Sequence, residues 1–209
     1  MIAAFLKNGF SVNALVHSPQ PSQSFDDNVT VICGDLLAAH DLVQAMQGCT
    51  SVYHICPNMH PDEVRISRLV IKAAQTCGVE QIVYHSVLHP QIKEMPHHWK
   101  KMQVESLLFK SGLNYTILQP AAYMQNLLQN KPAIDDKGIY EVPYNSQTRI
   151  GMVDLRDVTA VAARVITNKR HFGSTYELAT DESYSQLELA GLFTRICKRK
   201  IEFCETPRT

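Results

Sequence analysis

Ile82-Val83-Tyr84-His85-Ser86-Val87-Leu88-His89-Pro90 opens the stretch that decides the fold. His97-His98-Trp99-Lys100-Lys101-Met102-Gln103-Val104-Glu105 follows, and then Asn114-Tyr115-Thr116-Ile117-Leu118-Gln119-Pro120. The first run is apolar and β-branched and ends in polar residues. The second has helical spacing, and the third is another β-rich run that stops at a proline. The order is strand, helix, strand. In open α/β sheets, ligands bind beyond the carboxyl ends of the strands. Candidate chemistry therefore gathers at His85, Ser86, His89, His97 and Lys101. His97, Lys101 and Glu105 are each one helical turn apart and share a face.

The same alternation extends on both sides. Residues 2–8 read as the back of an amphipathic helix closed by Gly9, and 11–16 as a strand. Residues 19–28 are rich in Pro, Ser, Gln and Asp and predict a loop. Residues 29–33 predict a strand that turns out at Gly34-Asp35. A short helix around Leu42, Ala45 and Met46, a strand over 51–55 and a helix over 63–77 lead to the central stretch. Strands alternating with helices predict an α/β fold with a doubly wound parallel sheet. Beyond Asn126 the alternation stops. Residues 131–148 read as turn-rich, with Asp135-Asp136-Lys137-Gly138 as a hairpin. Helices over 157–167 and 185–198 follow, with a strand at 175–179 and a last one at 200–204. In the second helix Leu189, Leu192, Phe193 and Ile196 fall on one apolar face. This divides the chain into a domain of residues 1–126 and a small α+β lobe of 127–209, partly interleaved with it.

The 209 residues carry 20 Lys plus Arg against 20 Asp plus Glu. Zero net charge argues against a nucleic-acid surface driven by bulk charge. No apolar run has membrane-spanning length, and residues 1–7 do not read as a secretory leader. The six cysteines include no Cys-x-x-Cys pair, as for thiols in a reducing cytoplasm. His54, His60, His85 and His89 match no zinc spacing, so no metal is expected.

The central block resembles the NmrA-like branch of the atypical short-chain dehydrogenase/reductase superfamily. The matching features are Tyr84-His85-Ser86-Val87, the spacing His97-x-x-x-Lys101-x-x-x-Glu105, and Ser111 to Pro120 followed by Tyr123-Met124-Gln125-Asn126. Gly34-Asp35-Leu36 and Val153 to Val158 match more weakly. The resemblance implies a Rossmann-like NAD(P)-binding domain with a substrate-side lobe. It implies an oxidoreductase acting on a quinone or small carbonyl, with Ser86 steadying the developing alkoxide. Lys101 would hold the nicotinamide ribose, and His97 stands where the superfamily's proton-donating tyrosine would be. His17, Asp35, Leu36, Ile55, Cys56, Pro57 and Pro120 fall at cofactor-binding positions, and His89, Tyr123 and Asn126 at the substrate pocket. No carboxylate ends the strand over 11–16, so the cofactor leans to NADP(H) over NAD(H). The other reading is a non-catalytic NADP(H)-sensing regulator working through a protein partner, or an inactive fragment; a homodimer is compatible with any of these.

The nine glycines form no glycine-rich phosphate turn, and the sequence opens inside the helix that should follow one. The resembled pattern also continues past Thr209. The first strand, the phosphate loop and the C-terminal end of the family pattern are thus expected to be absent, which weakens cofactor binding. In the strand order 3-2-1-4-5-6 the first strand is central. Its loss predicts flanking strands that close on each other, a partner chain that fills the gap, or an unstable fold.

Overall fold

The computed structural model describes residues 1–18 and 27–207. Most of the loop expected over 19–28 lies outside the described residues. Two compact units emerge. The first takes residues 1–120 and 158–177, and the second 121–157 and 178–209.

The first unit begins with α1 (Ile2–Lys7), β1 (Val12–Val16), β2 (Val29–Cys33) and α2 (Ala39–Met46). It continues with β3 (Ser51–His54), α3 (Glu63–Cys77), β4 (Gln81–His85), α4 (Pro96–Phe109) and β5 (Asn114–Pro120). All five residues of β4 are buried, which is why this strand reads as a continuous apolar run with no alternation. It pairs in parallel with β3 on one side and β5 on the other. Gly78 ends α3 in the left-handed region, at φ 66°, where the lack of a Cβ removes the steric cost. Leu42, Ile66, Val70, Ala74, Ile82, Tyr84, Val104, Leu108 and Ile117 form the core between helices and sheet.

The sheet is parallel and flanked by helices, but it is split. β1 pairs with β2 alone, while the other ladder runs β3-β4-β5 and on to a later strand. Among the described residues no ladder joins β1 to β3. A cavity of about 1290 Å³ lies between them, walled by Phe5, Leu42, Ile66 and Val70. The flanking strands have therefore not closed up. Their spacing is set by the packed helices: Phe5 of α1 meets Tyr53 of β3 edge-on at 5.8 Å, and Asn13 of β1 bonds the Ala45 carbonyl of α2.

Past β5 come β6 (Ala122–Tyr123), α5 (Lys131–Lys137), β7 (Ile139–Val142), β8 (Arg149–Val153) and α6 (Leu155–Val165). Then follow β9 (Ser174–Leu178), β10 (Ser183–Ser185), α7 (Gln186–Cys197) and β11 (Glu202–Glu205). β9 is the strand that extends the larger ladder, beside β5. The second unit holds β10-β8-β6 and the pair β11-β7, around Ile134, Tyr140, Met152, Leu189 and Ile201. The hairpin expected at Asp135 to Gly138 is instead the last turn of α5. Gly138 supplies the left-handed residue that either structure needs, and burial of Ile134 selects the helix. Ser185 and Glu188 cap α7 reciprocally. Ile196, expected on its apolar face, is 74 % exposed.

Candidate active site

The buried backbone of β4 carries Ser86 to the carboxyl edge of the sheet. The Ser86 N–H donates to the Leu118 carbonyl at 2.8 Å, so β5 fixes its position. The Ser86 hydroxyl donates to Glu105 of α4. Gln119 Nε2 donates to both oxygens of the same carboxylate, at 3.0 and 3.1 Å. Glu105 is thus buried and held by two neutral donors. Burial raises its pKa, and the bonds from Ser86 and Gln119 oppose that rise. The sequence places Glu105 on the face of Lys101; in the fold it turns inward to Ser86 and Gln119.

Lys101 is held elsewhere. Its Nζ donates to Glu63 Oε1 at 2.7 Å and to the His85 carbonyl at 3.3 Å, and it lies 5.4 Å from the centre of the Tyr84 ring. The Tyr84 hydroxyl donates to the same Glu63 oxygen at 2.9 Å. Glu63 is 1 % exposed. A carboxylate buried that deeply is stabilised by the cation and the hydroxyl that meet it. Burial, with the nearby Glu63 charge second, holds the Tyr84 phenol far above its ordinary range. The buried Tyr84 phenol is therefore a poor proton donor.

Two histidines complete the strand ends. His85 Nδ1 is hydrogen-bonded to the Tyr53 hydroxyl, and His54 Nε2 to Ser67 Oγ at 2.9 Å. Burial first, and the Lys101 charge second, push His85 down to about 4 and His54 to about 3. Both rings are neutral at neutral pH. Local spacing gave no sign of Glu63 or Gln119, because each reaches the site only when separate elements pack.

The remaining predicted residues fall into four groups. His17, Asp35, Leu36, Ile55, Cys56 and Pro57 line the cavity beside β1 and β3. Asp35 makes the turn itself: its carboxylate accepts the Leu37 N–H at 2.8 Å, and its own N–H donates to Asp41. A Cβ on Gly34 would lie 2.7 Å from the Cβ of Asp41. Cys56 is buried and its thiol is pushed up to about 12, by burial above all, which makes it unreactive. Pro120 is buried at the end of β5, and its carbonyl accepts from Leu88. His97 and His98 stand near the start of α4 with rings 4.5 Å apart. Burial, and next His98, lower the pKa of His97. His98 bonds the carbonyl of His89, whose φ is 56°. In the second unit, Tyr123 is half-buried, its pKa raised by burial, and Asn126 is exposed. Among the described residues no group of His, Cys, Asp and Glu could hold a metal.

The NmrA-like family model matches residues 1–209. The chain belongs to the NmrA-like family. It is 29 % identical to quinone oxidoreductase 2 of Escherichia coli over 191 residues, which is 91 % of this chain and 66 % of that protein. It is 28 % identical to the NAD(P)H azoreductase of Xenophilus azovorans over 180 residues, 84 % of this chain and 61 % of that one. The crystal structure of the E. coli NADPH-dependent quinone oxidoreductase complexed with NADPH superposes with a TM-score of 0.85 at 27 % identity. That match covers 99 % of this chain and 74 % of the other. This NmrA-like chain therefore spans 66 % and 61 % of the length of these two curated relatives. No helix among its described residues is long and apolar enough to cross a membrane.

Proposed function

We propose that this NmrA-like chain carries the cofactor and catalytic face of an NADPH-dependent oxidoreductase that reduces quinones. The observation that carries the reading is one cavity. His17 follows β1, Asp35 and Leu36 follow β2, and Ile55, Cys56 and Pro57 follow β3, and all six line it. Residues from the carboxyl ends of successive parallel strands are where an open α/β sheet holds a dinucleotide. No acidic side chain ends β1, where a carboxylate would select an unphosphorylated ribose. The exposed side chain of Ile55 offers an apolar surface for a planar ring. These strand ends would meet the adenosine and nicotinamide parts of NADPH, which would supply the hydride.

The chain's own residues narrow the acceptor. Lys101 presents an ammonium at the strand edge, with Glu63 and the His85 carbonyl fixing its position. The Ser86 hydroxyl hydrogen is given to Glu105, so Ser86 must rotate before it can serve a substrate. Tyr84 is buried on Glu63, and His97 is shifted toward neutrality. None of these is a poised strong acid. A ketone reduced to a basic alkoxide needs one. A quinone becomes a delocalised oxyanion that a nearby ammonium stabilises and water protonates. The relatives named for quinone and NAD(P)H azo reduction support the same choice. A cytoplasmic location fits the free cysteines.

The test is steady-state NADPH oxidation with one quinone and one simple ketone. Quinone turnover should exceed ketone turnover at least tenfold, about 1.4 kcal/mol in the barrier. Equal rates would mean a placed acid exists, and the argument from Ser86 and Tyr84 fails. Bound NADPH without oxidation by any acceptor would move the reading to a nucleotide sensor with a protein partner.

A further inference from the structure

Glu105 is a buried carboxylate that the reading above leaves without a task. Its hydrogen-bond partners are neutral: the Ser86 hydroxyl from the edge of β4 and the Gln119 amide from β5. Burial is the largest influence on its pKa and raises it. The bonds from Ser86 and then Gln119 oppose that rise, and the charge of Lys101, one turn earlier on α4, opposes it least. Lys101 is itself paired with Glu63 of α3 at 2.7 Å. Tyr84 of β4, whose phenol burial keeps neutral, lies close enough to sense the Glu105 charge. Glu105 therefore takes up a proton at a higher pH than an exposed glutamate does.

The proton matters to Ser86. The serine hydroxyl hydrogen is committed to the Glu105 carboxylate, in a charge-assisted bond about twice as strong as one between neutral groups. Once Glu105 is neutral, its carboxyl group can donate to the Ser86 oxygen instead, and the serine hydrogen is free for another acceptor. Lys101 marks where that acceptor would lie. Its Nζ bonds the carbonyl of His85, the peptide group that leads into Ser86, and its side chain stays 12 % exposed. The opening that reaches Lys101 thus ends at the peptide that carries Ser86.

We propose that Glu105 is a positioning residue that switches Ser86 between two states. Ionised, it holds the hydroxyl away from the acceptor, and Lys101 alone faces the oxygen being reduced. Neutral, it releases the hydroxyl, which changes rotamer toward Lys101 and donates a second hydrogen bond to that oxygen. The inference rests on the reductase reading. A simple ketone gains more from the second donor than a quinone, because its alkoxide holds the new charge on one atom. In both states the hydride comes from NADPH and the proton that completes the alcohol comes from water, so the switch changes the donors and not the balance.

The test uses the full chain with Glu105→Gln, with Ser86→Ala and with both. Glutamine is neutral, accepts from Gln119 and donates to the Ser86 oxygen, so it mimics the released state at any pH. At about pH 8, Glu105→Gln should raise ketone turnover relative to quinone turnover at least about tenfold, on the low side of the roughly 10²–10³ that one oxyanion donor contributes. The gain should vanish in the double variant. In the wild type the same ratio should climb as pH falls toward about 5, where a buried glutamate gains its proton, and Ser86→Ala should not follow. His97 titrates in the same sense but is intact in both, so it cancels in that comparison. No gain from Glu105→Gln, an equal gain without Ser86, or an equal acid rise in Ser86→Ala would each overturn the proposal. If Glu105→Gln does not fold, the pH comparison decides. An infrared titration of the Glu105 carboxyl, without cofactor or substrate, reads the coupling alone. Ser86→Ala should move it to higher pH, because the serine bond lowers the Glu105 pKa; an unmoved titration overturns the switch. The infrared shift with no turnover of either acceptor would fail the reductase reading, and the catalytic part of Ser86 with it, while the coupling stands.

Discussion

Replacing Lys101 with methionine isolates the ion pair at the centre of the site. The change removes the cation that faces Glu63 at 2.7 Å and leaves that carboxylate 1 % exposed with the Tyr84 hydroxyl still donating to it. Removing one partner of a buried pair costs about 3–5 kcal/mol, because the other charge stays buried. Lys101 keeps 12 % of its side-chain surface, so some water reaches the pair and the lower end, about 3 kcal/mol, is expected. For a chain of this length the melting temperature should fall by roughly 6–12 °C, at 2–4 °C per kcal/mol. Lys101→Met together with Glu63→Gln removes the stranded charge while leaving an acceptor for Tyr84. The double variant should recover at least about 1.5 kcal/mol of the single-mutant loss. Urea unfolding followed by circular dichroism, run for wild type, both single variants and the double variant, gives the cycle. A loss under about 1 kcal/mol for Lys101→Met, with additivity within about 0.5 kcal/mol, would refute the view that this pair is buried and coupled.

Acid should weaken the first unit through its histidines. The folded pKa of His85 lies near 4, below its ordinary 6.5, so the stability it contributes is complete above pH 6.5 and is lost as pH falls through about 4. The full effect is roughly 3 kcal/mol, and His54 adds in the same sense. Glu105, raised by burial, works the opposite way over the carboxylate range. His85→Gln should flatten the stability profile between pH 7 and 4; an unchanged slope in urea titrations would discard the assignment. Gly34→Ala presses a methyl onto Asp41 and should cost about 1–3 kcal/mol, read as a lower urea midpoint; a neutral result would mean the turn yields freely. In the quinone assay, Lys101→Ala should lower kcat/KM more than tenfold and His97→Ala less. The reverse order would make His97 the proton donor.

The alternation of strands and helices was legible because it rests on local chemistry. β-Branched runs such as Ile82-Val83-Tyr84 and stop signals such as Gly78 act within a few residues. The family's central motif, from Tyr84 to Pro120, was legible for the same reason. Where two local structures share a signal, the sequence left the choice to packing: Gly138 suits a hairpin or a helix end, and burial of Ile134 decided for the helix. Glu105 shows the limit within one helix. Its spacing from Lys101 is right for a pair, but Ser86 and Gln119, on β4's edge and on β5, offered it donors in a buried site. Lys101 then went to Glu63, 38 residues away in the chain. The sequence by itself determined which residues could be acid, base or cation, and which elements carry them. Only the tertiary structure decided which of these groups meet and that β1 and β3 stand apart, because hydrogen bonding, burial and sheet spacing depend on how distant segments pack together.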